Sequence, residues 1–152
     1  SGIRPAVNVG ISVSRVGGNA QRKSMKKVAG TLRLDLASFR SLEAFAQLGT
    51  ELDAATQRQL DRGLRTVELL KQPLYQPFPL EEQVVSMYTA GQGYLDDLGN
   101  AHVAAFETGL LKHLRDEFPE ILKAIRDTND LPNDVADKLK SVVTNFKANF
   151  KA

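Results

Sequence analysis

The chain has 152 residues and a net charge of only +2, which fits one globular domain with a sizeable core. It contains no cysteine, which excludes disulfides and cysteine-ligated zinc, and no apolar run or signal pattern typical of membrane insertion or secretion. Residues 1–33 nevertheless hold seven of the 20 basic residues and no acidic one, so the remainder carries 13 basic and 18 acidic residues. This basic end predicts contact with an anion, which nucleic acid, nucleotide phosphates or an acidic partner surface would each satisfy.

The first predicted element is a strand over residues 3–16, bounded by Pro5 and by Gly17 and Gly18. Apolar and small residues alternate along it with the period of a half-buried strand. The apolar positions are Val7, Val9, Ile11 and Val13. No second convincing strand follows, so this orphan segment is predicted to fray, to fold back or to pair with another copy.

From about Gln21 the spacing of apolar residues predicts a long helix that ends near Gly49, with Gly30 as a candidate kink. The apolar face of this helix consists of Met25, Val28, Leu32, Leu36, Phe39, Leu42 and Phe45. Asp53 is the predicted N-cap of a second helix, which must stop by Gln72 because Pro73 follows. The apolar face of the second helix consists of Leu60, Leu64, Val67 and Leu70.

Residues 73–79 form a proline-rich connector, and Pro79 is predicted at the first position of a short helix that runs out at Gly91 and Gly93. Further helices are predicted at about 102–116, at 119–128 and after Pro132. The fold class is therefore all-α, an irregular bundle of about five to seven helices preceded by an orphan strand-like segment. We predict two parts, a tail over residues 1–20 and a helical domain over residues 21–152.

The sequence carries no catalytic constellation of its own. It lacks the GxxxxGK[ST] loop that cradles a triphosphate. His102 and His113 are too far apart to share a metal, so both are interpreted as surface histidines, and no metal site is predicted. Three adjacent carboxylate pairs are interpreted as solvated or helix-capping charges, because neighbouring helical residues point about 100° apart. These pairs are Glu81-Glu82, Asp96-Asp97 and Asp116-Glu117.

A cluster of four basic residues opens the first long helix and is interpreted as a solvated face. The cluster consists of Arg22, Lys23, Lys26 and Lys27. A nucleic-acid surface would be favoured by interleaved aromatic residues, and residues 1–38 contain none. The sequence therefore does not favour nucleic acid as the partner.

Arg15 has a more specific setting, because it follows the predicted strand and precedes two glycines. A planar, permanently charged guanidinium can bridge two phosphate oxygens, which lysine cannot do. In phosphoryl transfer, an arginine supplied by a neighbouring subunit stabilises the charge that develops on the transferred group. Arg15 is thus a candidate for a group that acts in a neighbour's site.

Several segments resemble the α subunit of F-type ATP synthases, and together the match extends over essentially all of residues 3–152. The matching segments are RPAVNVGISVSRVGG at residues 4–18, KVAGTL at 27–32, LDAAT at 52–56, ELLKQ at 68–72, EEQV at 81–84 and GYLD at 93–96. The resemblance implies that the chain is a C-terminal fragment of that subunit, with residues 3–16 left over from the nucleotide-binding domain.

The resemblance also implies roles for individual residues. Arg15 matches the arginine finger that acts in trans on the catalytic site of β, and Val13 and Ser14 match residues that line the approach to that site. Arg4, Pro5 and Gln72 match positions near the adenine and ribose of a non-catalytic nucleotide bound by α itself. Family members often have a second glutamine where this chain has Leu74.

In the family, three α and three β subunits alternate around a central stalk, with ATP or ADP and Mg²⁺ bound to the intact subunits. Residues 52–56 match the loop of α that is equivalent to the stalk-facing lever of β. The implied partners are therefore β subunits and the stalk, in a peripheral complex on the cytoplasmic face of a bacterial plasma membrane, which corresponds to the mitochondrial matrix side. We expect neither nucleic-acid binding nor direct membrane insertion.

The resemblance implies that the isolated chain is not an enzyme, because it lacks the phosphate loop and should not bind ATP with useful affinity. The parent complex is a proton-translocating ATP synthase. We expect the isolated chain to be a monomer or a strand-swapped dimer. Two alternatives stay open at this point, a free-standing helical binding module with a basic tail and the α-like subunit of a related rotary or flagellar-type ATPase.

Overall fold

A computed structural model describes residues 3–46, 52–73 and 75–151. Helices account for all the regular secondary structure of these ranges. In chain order they are α1 (Arg15–Ala20), α2 (Lys23–Ala46), α3 (Ala54–Leu69), α4 (Leu80–Gly91), α5 (Asn100–Glu117), α6 (Pro119–Thr128) and α7 (Asn133–Asn149). The predicted all-α fold is confirmed. Leu74, which stands where family members often have a second glutamine, lies outside the described residues, as does the predicted end of the first long helix near Gly49.

α2 forms because apolar residues recur every three or four positions, which places them on one face of the helix. From Met25 to Phe39 this face is buried as predicted. Leu42 is half-buried, and the Phe45 side chain is exposed, so the predicted apolar face does not extend to the end of the helix. No break occurs at Gly30, because the helix is continuous there and the glycine faces open space.

α3 begins where the sequence predicts. The Asp53 carboxylate accepts hydrogen bonds from the backbone N–H groups of Ala55 and Thr56 at 2.8 and 2.9 Å, and so satisfies donors that a helix start leaves free. The helix ends at Leu69, before Pro73. Pro79 is the N-cap of α4 rather than its first helical residue, a difference of one position.

The core is centred on α4, which packs against α2, α3, α5 and α6. α5 also packs against α3 and α6, and α7 packs against α6. Its most completely buried large side chains are Phe39, Val84, Val85, Leu95, Val103, Phe106, Leu110, Leu111, Leu114, Ile121, Ile125 and Leu139. The edge of the Phe106 ring packs against the rings of Phe146 and Phe150, with centroid distances of 5.3 and 5.1 Å. These contacts hold the last helix on the bundle.

The predicted N-terminal strand is wrong for the described residues. The segment turns at residues 9–11 and enters the short helix α1, which the sequence did not predict. A strand requires a neighbour to receive its backbone hydrogen bonds, and no described segment offers an edge. The segment instead folds back on the bundle, where the Gln72 N–H donates to the Arg4 carbonyl at 3.0 Å.

Two further sequence interpretations are corrected by tertiary contacts. Glu81 and Glu82 are buried rather than solvated, with 8% and 6% of their surface exposed, because arginines of later helices neutralise them. Arg115 donates two hydrogen bonds to Glu82, at 2.7 and 2.8 Å. His113 is half-buried rather than a surface histidine, because its ring lies between Phe118 and Phe146, each with a centroid distance of 5.4 Å.

Candidate functional site

Arg15 is the first residue of α1 and is exposed to solvent. Among the described residues no acidic side chain forms an ion pair with it, whereas Arg40, Arg62 and Arg65 each pair with a carboxylate. An unpaired guanidinium keeps all five of its N–H donors available to an incoming anion. The side chain is therefore free to bind phosphate or carboxylate oxygens.

Ser14 fixes the start of α1 and so positions Arg15. The Ser14 hydroxyl accepts a hydrogen bond from the Gly17 N–H at 2.9 Å, and the Ser14 carbonyl accepts one from the Gly18 N–H at 2.9 Å. A β-carbon on Gly17 would lie 3.0 Å from the Ser14 hydroxyl, closer than ordinary contacts, so the glycine suits this tight cap. The motif Ser-Arg-Val-Gly thus encodes a capped helical turn.

The residues beside Arg15 present an apolar surface to solvent. Val13 and Val16 are 81% and 80% exposed, and Ile11 is 74% exposed. Large apolar side chains in such a run bury little surface within the chain itself, which is typical of a segment that packs against another surface. Arg15 therefore lies within an apolar, partner-accessible segment.

Arg4, Pro5 and Gln72, the residues predicted to lie near a non-catalytic nucleotide, are brought together in part. The backbones of Arg4 and Gln72 are joined by the hydrogen bond already described, and Pro5 lies next to Arg4 in the same segment. The folded-back segment covers a small cavity of about 50 Å³ between itself, α2 and α3. The walls of this cavity include Pro5, Val7, Val9, Leu36, Val67 and Leu70. No described contact links this region to Arg15.

Residues 52–56, which resemble a stalk-facing loop, all lie among the described residues at the start of α3. Leu52 is half-buried, and Asp53 caps α3. Hydrogen bonds from the backbone and side chain of Thr56 are the main reason that the pKa of Asp53 lies below its usual value. The Asp53 carboxylate therefore serves as the N-cap of α3, at the end of the bundle where that helix begins.

Sequence reasoning missed one polar contact that shapes the bundle. Arg62 of α3 donates to both carboxylate oxygens of Asp96, with the shortest N–O distance at 2.6 Å. The hydrogen bond from Arg62 to Asp96 is the main reason that the pKa of the Arg62 guanidinium lies above its usual value. The GYLD segment could have suggested the contact, because Gly93 with φ +79° makes the turn that presents Asp96.

Within ranges 3–46, 52–73 and 75–151, no group of three or more histidine, aspartate or glutamate side chains is placed to hold a metal ion. No helix in these ranges is long and apolar enough to cross a membrane. The observed geometry thus consists of one free arginine on a capped turn, a folded-back segment over a small cavity, and a helical bundle.

Comparison with known proteins identifies the class of this bundle. The family model for the ATP synthase alpha/beta chain, C terminal domain, matches residues 21–146, and the chain belongs to that family. Within this family, the chain matches the C-terminal region of the ATP synthase α subunit.

The similarity to individual α subunits is high over nearly the whole chain. The ATP synthase subunit alpha of Mycobacterium avium (strain 104) is 57% identical over 151 residues, which covers 99% of this chain and 27% of that protein. The subunit alpha of Mycobacterium tuberculosis (strain ATCC 25618 / H37Rv) is also 57% identical over 151 residues, with 28% of that protein covered. The chain therefore spans little more than a quarter of the length of these relatives.

Proposed function

We propose that, in a complete α subunit, Arg15 acts in trans as the arginine finger of a neighbouring β subunit's catalytic site. The observation that carries this proposal is the exposed guanidinium on a capped turn, without an acidic partner among the described residues. In the transition state of phosphoryl transfer, negative charge develops on the phosphoryl oxygens and on the leaving oxygen. A bidentate guanidinium stabilises that charge more than it stabilises the ground state, which lowers the barrier.

Ser14 and Val13 have supporting roles in this proposal. The hydroxyl of Ser14 holds the turn that starts at Arg15, so the backbone that carries the guanidinium is already ordered before the nucleotide binds. Val13 is exposed and apolar, and it would pack against the neighbouring subunit and exclude water from the approach. Both residues act by positioning and shielding Arg15.

We further propose that Arg4, Pro5 and Gln72 lie beside the adenine and ribose of a nucleotide that the complete α subunit binds with its own phosphate loop. Support comes from the hydrogen bond between Gln72 and Arg4 and from the apolar cavity next to Pro5. The backbone hydrogen bond brings Arg4 and Gln72 together in the fold, as residues of one binding site must be. ATP or ADP and Mg²⁺ would accompany the complete subunit.

In this proposal the helical bundle packs in a hexamer of α and β subunits around the central stalk. The complex would work as a proton-translocating ATP synthase, peripheral to the cytoplasmic face of a bacterial plasma membrane. Support comes from the family membership and the high identity to ATP synthase α subunits. On this basis the chain contributes to catalysis only through Arg15 and as a structural domain.

The test is ATP hydrolysis by a reconstituted hexamer that carries Arg15→Ala in a complete α subunit. We expect turnover to fall by about 10³–10⁵, the contribution of such arginines, while nucleotide binding to β persists. Arg15→Lys is the matched variant, because it keeps the charge and loses the bidentate geometry. Unchanged turnover in Arg15→Ala would remove Arg15 from the mechanism, and loss of nucleotide binding would assign it to substrate binding instead.

A further inference from the structure

The first turn of α2 and the residue before it carry exposed cations that have no role in the proposed function. Arg22, Lys23 and Lys26 are exposed, and no acidic side chain of the described residues forms an ion pair with any of them. Among the described residues after residue 33, eight of the 13 basic side chains form ion pairs. The paired residues after residue 33 are Arg40, Arg62, Arg65, Lys71, Lys112, Arg115, Arg126 and Lys147.

This arrangement costs the isolated chain free energy. Lys23 and Lys26 are three residues apart on the surface of α2, and Arg22 directly precedes the helix, so these like charges lie close together and repel each other. They also lie near the positive end of the α2 dipole, with no acidic residue in the first turn. A negatively charged partner would reduce both the repulsion between these charges and their unfavourable interaction with the helix dipole.

The bundle itself shows that carboxylates bind next to this cluster. The Asp130 carboxylate, from the connection between α6 and α7, lies 2.8 Å from the Lys27 ammonium. The hydrogen bond from Lys27 and then the one from the Leu131 N–H hold the pKa of Asp130 below its usual value, and the charge of Lys23 contributes least. Lys27 is thereby occupied, while its three neighbours remain available.

We propose that Arg22, Lys23 and Lys26 form a docking surface for an acidic segment of a partner protein. The proposal goes beyond the role proposed for Arg15 and does not depend on it. Nucleic acid is less favoured, because residues 1–38 offer no aromatic side chain for base stacking. A membrane surface is also less favoured, because the apolar face of α2 is buried in the bundle and cannot insert among lipids.

The test is a titration of the ¹⁵N-labelled full chain with a glutamate-rich peptide, followed by amide chemical shifts. The same peptide with glutamine in place of glutamate is the peptide control. The surface variant carries Arg22→Glu, Lys23→Glu and Lys26→Glu. The matched variant carries Lys123→Glu, Lys138→Glu and Lys140→Glu, which changes the net charge equally at exposed lysines of α6 and α7. Far-ultraviolet circular dichroism checks that both variants are folded.

We expect saturable shifts centred on residues 22–26 with the glutamate peptide only. Affinity should fall about tenfold in the surface variant, the effect of losing several exposed ion pairs, and should be unchanged in the matched variant. Equal losses in both variants would show a net-charge effect and overturn the proposal, as would the absence of any shift. Tighter binding to duplex DNA or to phosphatidylserine vesicles would assign the surface to those partners. Shifts that depend on chain concentration without peptide would assign it to a second copy.

Discussion

Gly63 of α3 lies directly against the Phe39 ring of α2. A β-carbon added to Gly63 would be 2.2 Å from Phe39 Cδ2 and 2.6 Å from Phe39 Cβ, distances that real β-carbons essentially never show. Phe39 is itself almost completely buried, so moving its ring would give up buried contacts. The absence of a side chain at Gly63 therefore allows α2 and α3 to approach as closely as they do.

Gly63→Ala should accordingly destabilise the bundle by about 1–3 kcal/mol, the usual cost of overpacking a core, although alanine favours helices. Chemical denaturation measures the change in the free energy of unfolding. Gly30→Ala is the matched control, because Gly30 lies inside α2 and a β-carbon there would meet nothing within 4 Å. That control should be more stable than the parent by about 0.5–1 kcal/mol. Equal effects at the two glycines would contradict the role assigned to the Gly63–Phe39 contact.

Glu107→Gln should make the domain more stable at neutral pH. Burial raises the pKa of the Glu107 carboxyl, and the negative charge of Glu82 in α4 adds to this rise. The nearby Ser86 hydroxyl offsets part of the rise, although it does not lie in hydrogen-bonding geometry. No described side chain forms an ion pair with Glu107, whereas Arg115 pairs with Glu82. The ionised carboxylate therefore opposes folding.

The pH dependence of this effect has a definite sign. Because the folded-state pKa of Glu107 is raised, the parent loses stability as the pH rises from the unfolded-state pKa, about 4.3, through the folded-state pKa. The advantage of Glu107→Gln should be absent below that window and reach its full size above it. Denaturation curves over this pH range measure it, with the exposed Glu120→Gln as control. An advantage that is independent of pH would contradict the assignment.

Arg115→Ala should destabilise the domain by about 1–3 kcal/mol, because it leaves the buried Glu82 carboxylate without its two hydrogen bonds. Arg126→Ala should cost less, since Arg126 approaches Glu81 only to 3.4 Å. Thermal unfolding measures both. Combining Arg115→Met with Glu82→Gln should recover part of the loss, because the unpaired buried charge is then removed. A double variant less stable than Arg115→Ala would refute this explanation.

Gly10→Ala should release the N-terminal segment from the bundle and leave the helices intact. A β-carbon on Gly10 would be 2.9 Å from the backbone nitrogen of Ala37, which cannot move without disturbing α2. Amide exchange at Gln72 reports the change, because its N–H bonds to the Arg4 carbonyl. Gly18→Ala is the control, since nothing lies within 4 Å of its added carbon. Protection of Gln72 that persists in Gly10→Ala would show that the segment is held elsewhere.

The helices were predictable because their signals are local. The apolar period of α2, the Asp53 cap of α3 and the proline that opens α6 each act within a few residues. Arg15 could also be singled out from its immediate neighbours. Its trans role stays a prediction, because it concerns a partner subunit.

The errors arose where local and distant interactions compete. The alternation of residues 7–13 is typical of a strand, yet a strand forms only with a neighbour, and the described residues provide none. α1 was missed because Gly17 and Gly18 weaken a helix, and the Ser14 cap compensates over a single turn. The burial of Glu81 and Glu82 was not visible in the sequence, because their arginine partners follow 45 and 33 residues later.

The sequence by itself therefore determined the helical class, most helix boundaries and the family, since these depend on periodicity, capping and motif content along short stretches of chain. Only the tertiary structure decided which charges are paired and which remain exposed. It also decided that the N-terminal segment folds back over α2 and α3. The physical reason is that ion pairing, burial and strand pairing depend on groups far apart in sequence, and their positions are set only when the helices pack.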